Sequence, residues 1–221
     1  MFAVTTFPPW AWDIYANRCI DTWRKFWPGS VLVYFEGSAP PAPAVPGIEF
    51  RPLDDIEERA DFLNREYNAP HPSYLFDVKR FCHKVFAQIN AAEELEQFWW
   101  LDADVEMINR IPDELVQGIT NESFTSFLGR DTYTETGAIA FNQMDQESER
   151  FWDRYQACYT LGLIFKQRFW TDCHAFDFAR EGGGHNLTPY GMGVENVMRH
   201  SVLGKWMKHH KGNLKLKLEE Q

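Results

Sequence analysis

Two apolar runs constrain this chain more than any other feature: "VLVYFEG" at residues 31–37 and "QFWWLDADV" at 97–105. A strand with one wet face alternates apolar and polar residues. Consecutive apolar residues instead mark a strand buried on both faces, the habit of parallel sheets covered by helices. The rest of the first half fits that plan. "FAVTTF" (2–7) is β-prone and stops at Pro8 and Pro9, and residues 10–26 carry Ile14, Ile20, Trp23 and Phe26 at helical spacing up to Pro28 and Gly29. A Pro/Ala-rich loop (38–47) precedes a third strand, "IEFRPL" (48–53), and the patterns of 55–68 and 73–92 are helical. This alternation predicts an α/β fold with an open, mostly parallel sheet flanked by helices. Ligands of such sheets gather at the carboxyl ends of the strands, where Asp102 and Asp104 fall.

The second half changes character. "FTSFLG" (124–129) and "GAIAFN" (137–142) are β-prone and flank "RDTYTET", residues 145–168 form one long amphipathic helix, and "EGGGHNLTPYGMG" (181–193) is a glycine-rich connection. Gly182 to Gly184 match no phosphate-loop spacing, and no internal repeat is present. The 221 residues suffice for one domain with a sizeable core, and 44% hydrophobic content with 16% aromatics excludes disorder. A net charge of −10 argues against an extended nucleic-acid surface. No apolar run is long enough to span a membrane. The first cation is Arg18, so the start has no signal-peptide character. Cys19, Cys82, Cys158 and Cys173 are scattered, which predicts reduced thiols and a cytoplasmic protein.

Residues i and i+2 of an extended strand share a face, so Asp102 and Asp104 are expected to offer hard oxygens to one divalent cation. An acidic chain also produces a D-x-D by chance, and the triplet alone is weak. Its place at the end of a buried aromatic strand strengthens it, because charges there need solvent, a partner or a metal. The tail adds His209, Gly212 and Lys215 in an H-x-x-G-x-x-K arrangement. Imidazole beside carboxylates suits Mn²⁺ better than Mg²⁺. A glycine lets backbone approach phosphate, and a lysine can neutralise a diphosphate. A solvated basic tail (Lys205, Lys208, Lys211, Lys217) is the plainer alternative.

A strand ending in D-x-D with a C-terminal H-x-x-G-x-x-K resembles the GT-A glycosyltransferases, above all family 8, the glycogenin and galactosyltransferase-like enzymes. The resemblance implies a GT-A type, Rossmann-like fold in one domain over 1–221, with a nucleotide-binding half (1–105) and an acceptor-side half (106–221). It implies Asp102, Asp104 and His209 as ligands of Mn²⁺ (or Mg²⁺), Lys215 and Gly212 at the diphosphate of a UDP-sugar, and retention of anomeric configuration. Leu216 and Lys217 stand where the family has proline and tryptophan. The helix "YLFDVKRFCHKVFAQ" is similar to the one that carries a donor-contacting arginine. Arg80 is the matching position, with Asp77 and Lys84 on the same polar side; an Asp77–Lys84 surface network without a ligand is the alternative. "TETGAIAFN" resembles the family's strand with a polar residue before glycine, which makes Glu135 a candidate for the sugar or acceptor site, unless it is an exposed loop acid. "WTDCHAFDFA" resembles a D-Q-x-x-L-N segment and puts Asp172 beside the donor sugar, with Cys173 where the family has glutamine. Asp172 could instead cap a helix.

Thr5 and Thr6 end the strand beside which this fold holds the nucleotide base, although threonine there also follows from β-propensity. Trp10, Trp12, Trp99 and Trp170 are candidates for stacking on base or sugar, or for the core. The acceptor is open among a saccharide, a lipid-linked glycan, a protein and a modified nucleobase. Two other classes also use a D-x-D: a metal-dependent nucleotidyl or phosphoryl transferase, and a catalytically inactive nucleotide- or carbohydrate-binding protein.

Overall fold

The computed structural model describes residues 1–37, 39–65, 73–188 and 196–212. Its main sheet has seven strands: β1 (Phe2–Phe7), β2 (Ser30–Phe35), β3 (Ile48–Pro52), β4 (Gln97–Leu101), β6 (Thr125–Leu128), β7 (Glu135–Asn142) and β8 (His185–Asn186). β5 (Val105–Met107) and β9 (Met207–His209) form a separate two-stranded ribbon. The order in the main sheet is β3-β2-β1-β4-β7-β6-β8. β1, β2, β3 and β4 are parallel, as are β6 and β8, and β7 runs antiparallel to both of its neighbours. The sheet is therefore mostly parallel, as the sequence predicts.

The apolar runs behave as two-faced strands. Phe98 and Trp100 of β4 pack into the core on one side of the sheet, under α2 (Glu57–Asn64), α3 (Val78–Glu94), α5 (Ser148–Thr160) and α6 (Asp172–Arg180). Trp99 and Leu101 pack into the other, under α1 (Asn17–Phe26) and α4 (Asp113–Asn121). Two indoles buried in that second layer are satisfied: Trp99 Nε1 donates to Thr120 Oγ1 at 2.8 Å and Trp23 Nε1 to the Val105 carbonyl at 2.6 Å. Each aromatic buried this way contributes roughly 1.5–3 kcal/mol.

Several expected elements are shorter than the sequence pattern suggests, each for a local reason. The helix expected over 145–168 ends at Thr160, because Gly162 takes a left-handed conformation (φ 69°) and only a short 3-10 turn follows. The one expected over 73–92 breaks at Asp77, whose carboxylate accepts from the Arg80 amide at 3.2 Å and caps α3. The strand expected over 97–105 is two strands. It stops at Leu101, turns through Ala103 and Asp104 with the Val105 amide bonded to the Asp102 carbonyl at 2.8 Å, and resumes as β5. Asp102 and Asp104 therefore share a tight turn, not the face of an extended strand. α4, β8 and the β5–β9 ribbon have no counterpart in the sequence pattern, and a short α7 (Val197–His200) leads towards the ribbon.

Candidate active site

The order of the sheet turns over at β1, which has β2 on one side and β4 on the other. Such switch points open a crevice at the carboxyl ends of the strands. Around it lie the ends of β1, β2 and β4, the start of the antiparallel β7, and the amino-terminal ends of α3 and α6. A cleft of ≈ 230 Å³ occupies the place, with Thr6, Arg80, Lys84, Asp102, Asp104 and Asp172 among its walls.

Lys84, in the second turn of α3, is the hub. Its Nζ lies 2.8 Å from Asp102 Oδ1 and 2.8 Å from Asp172 Oδ2, and it donates to the Thr136 carbonyl at 2.8 Å. Burial alone would lower its pKa, but Asp102 and Asp172 outweigh that and hold the ammonium charged well above the ordinary lysine range. Asp172 is buried and opens α6. Burial pushes its pKa up, yet Lys84 and the Thr136 hydroxyl, which donates to Oδ2 at 2.6 Å, bring the net shift down. Asp172 is thus a fixed anion in the wall. Cys173 Sγ lies 3.2 Å from Thr136 Oγ1, and burial followed by the Asp172 charge pushes its thiol up to about 12, so it stays protonated.

The tail reaches the same place through β9. Pairing of His209 with Val105 carries the imidazole to Asp104, with Nε2 at 3.0 Å from Oδ1, and Nδ1 lies 3.5 Å from Glu135 Oε1. Gly137 makes this possible. A Cβ there would stand 2.5 Å from His209 Cε1, so the ring occupies space that a side chain at that point of the strand would fill. One ligand atom each from Asp102, Glu135 and His209 falls within 4.8 Å of the others. Oxygens and nitrogens bound at about 2.0–2.6 Å from one ion span distances of that size, so the donor set fits a divalent cation. Glu135 is also held by Arg130 and Lys211. Burial, and then Arg130, push the Lys211 ammonium down to about 8.

Of the residues singled out in the sequence, Thr6, Arg80, Lys84, Asp102, Asp104 and Asp172 meet at the cleft, and Glu135 and His209 join them through Asp102 and Asp104. Thr5 does not: it is fully buried, because alternation along β1 turns it into the sheet while Thr6 faces the cleft and donates to the Tyr34 carbonyl. Asp77 is spent on the α3 cap and is off the cleft wall. Gly212 takes a left-handed φ of 56°, which suits glycine, and Lys215 lies outside the described residues. Trp99 is core, Trp170 packs on Phe76 and Phe165, Trp12 stacks on Phe7, and Trp10 stands exposed. Sequence reasoning missed Thr136, Arg130 and Lys211. No pattern marks the first two, and Lys211 was hidden among the basic residues of the tail.

No family model and no curated protein sequence matches the chain. Solved structures do. A glutamine-to-glutamate active-site mutant of LgtC aligns at a TM-score of 0.58 with 12% identity, over 96% of this chain and 88% of that one. Apo WbbM, a bifunctional glycosyltransferase, aligns at 0.51 with 11% identity, over 80% of this chain and 36% of that one. Likeness at such identities is likeness of fold. The chain has the GT-A glycosyltransferase fold.

Proposed function

We propose that this chain is a metal-dependent glycosyltransferase that moves a sugar from a UDP-type nucleotide-sugar to an acceptor, with retention as in family 8. The observation that carries the proposal is the convergence of Asp102, Glu135 and His209 within 4.8 Å, at the strand ends of a GT-A fold and beside a buried lysine. Asp102, Glu135 and His209 would hold the cation together with Asp104, whose Oδ1 lies 3.0 Å from His209 Nε2. When bound, Mn²⁺ or Mg²⁺ supplies Lewis-acid stabilisation of the leaving diphosphate.

The chain's own side chains account for the rest. Lys84 and Arg80 face the cleft and oppose the negative charge that grows on the diphosphate as the glycosidic bond lengthens. Asp172 and Thr136 fix the Lys84 ammonium in place. Asp172 stays ionised, so it acts as an electrostatic partner for an oxocarbenium-like sugar and cannot serve as a general acid.

Calorimetry with UDP and Mn²⁺, with EDTA as the control, tests the proposal together with turnover assays of Asp102→Asn and Asp104→Asn. Metal-dependent binding is expected, with at least a hundredfold loss of sugar transfer in each variant and little change in melting. Near-wild-type transfer by both variants would remove the metal assignment. Release of pyrophosphate in place of nucleoside diphosphate would make the chain a nucleotidyl transferase.

A further inference from the structure

Two cations beside the metal residues are not used by the proposed chemistry. Arg130, between β6 and β7, and Lys211, two residues past β9, both pair with the same atom, Glu135 Oε2. Glu135 Oε1 has other neighbours: His209 Nδ1 at 3.5 Å and the Gly137 amide, which donates to it at 3.2 Å. One carboxylate oxygen thus gathers two like charges that repel each other, where a plain ion pair needs only one. Arg130 is the more telling of the two. Its side chain is only 7% exposed, and among the described residues its Nε–H meets no acceptor. A buried charged donor of this kind calls for one. Lys211, 32% exposed, connects the pair to solvent.

The surroundings put this pair at the sugar end of the site. The Arg130 guanidinium lies 5.0 Å from the centre of the Tyr133 ring, and that ring packs at 5.4 Å on His174, in the first turn of α6 with Asp172. Glu135 adjoins Thr136, whose hydroxyl bonds Asp172 at 2.6 Å. Arg80 and Lys84, which oppose the charge of the diphosphate, border the cleft, and Arg130 and Lys211 do not. The negative charge that the second pair answers is therefore a different one.

We propose that Arg130 and Lys211 form a subsite for a carboxylate on the transferred sugar, so that the donor is a nucleotide-linked uronic acid and not a neutral hexose. The inference rests on the nucleotide-sugar proposal above and deepens it. A guanidinium presents its N–H groups in a planar fork that matches a carboxylate, and an ammonium adds a movable donor. The pair already holds one carboxylate, that of Glu135. With a cation on Oε1, Glu135 shares its charge with the metal, and Arg130 and Lys211 are left in excess. A second carboxylate restores the balance. The hydroxymethyl group of a hexose leaves two partly desolvated cations on one oxygen.

Equilibrium binding with Mn²⁺ present decides the matter. UDP-glucuronic acid, UDP-galacturonic acid, UDP-glucose, UDP-galactose and UDP are compared on the wild type, Lys211→Met, Lys211→Arg and Arg130→Lys, each checked by melting. The wild type is expected to hold at least one uronate about tenfold or more tighter than the hexose of the same configuration. Lys211→Met should bring that ratio close to one, and Lys211→Arg should restore most of it. Arg130→Lys, in a different stretch of chain, keeps the charge but loses the fork, and should lower the ratio as well. The ratio is the readout that a role confined to Glu135 and the metal would not move, because such a role scales both donors together. A hexose bound as tightly as its uronate by the wild type would overturn the proposal. So would a Lys211→Met variant that weakens uronate and hexose by equal factors. A wild type that binds neither UDP nor any UDP-sugar would overturn the donor proposal and this one with it, whereas UDP binding without a preference for uronate overturns this one alone.

Discussion

Lys84 shows how much one side chain can organise. Its ammonium lies 2.8 Å from each of two carboxylates, Asp102 and Asp172, and its charge offsets the repulsion between them. Asp172 is the partner on which mechanism and stability both depend. Its Oδ2 takes Lys84 and Thr136, and the carboxylate also meets the Cys173 backbone amide in the first turn of α6. Its folded pKa lies below the ordinary carboxylate value, so it contributes stability at neutral pH that is lost as pH falls through the carboxylate range towards the folded pKa. Asp172→Asn keeps the shape and the Thr136 hydrogen bond but gives up the charge. It should fold with a loss of about 1–3 kcal/mol, bind nucleotide, and lose kcat by roughly two orders of magnitude. Its melting temperature should also fall less than that of the wild type between neutral pH and pH 3. Wild-type turnover in this variant would leave Asp172 a purely structural anion.

At the scale of elements, the β5–β9 ribbon brings a histidine more than one hundred residues away in sequence onto the D-x-D turn. Gly137 is the seat for that ring, and its replacement tests the arrangement without touching a ligand. Gly137→Ala places a methyl group 2.5 Å from His209 Cε1, so the imidazole must move while the buried strand β7 stays paired. Metal affinity should fall about tenfold or more with far-ultraviolet circular dichroism unchanged. Unchanged affinity would show that His209 is not held where the metal needs it. The same elements show what could be read beforehand. β2 and β4 were legible because two-faced burial leaves an unbroken apolar run, and the aspartates were legible because charge at the end of such a run is conspicuous. The turn between them was not, since three-residue strands have no periodicity and only the distant partner β9 defines β5. Glu135 was legible as a candidate, but its place beside His209 depends on how β7 crosses β4 antiparallel, which no local pattern encodes.

For the whole molecule, the site draws on three stretches of chain far apart in sequence. Asp102 and Asp104 belong to the turn after β4, Glu135 to the start of β7, and His209 to the last described strand. A cation held by these residues would join β9 to the turn after β4 and to the start of β7, and it could do so only in the folded chain, so its binding energy would become folding energy. Mn²⁺ and UDP together at about a hundredfold above their dissociation constants should add about 2.7 kcal/mol of stability. In a chain of this length that corresponds to roughly 5–10 °C in Tm. Calorimetric melting with and without EDTA measures it, and Asp104→Asn supplies the internal control, because it should keep the metal-free Tm and lose the shift. A Tm that ignores Mn²⁺ and UDP in the wild type would mean that Asp102, Glu135 and His209 come together with no cation required.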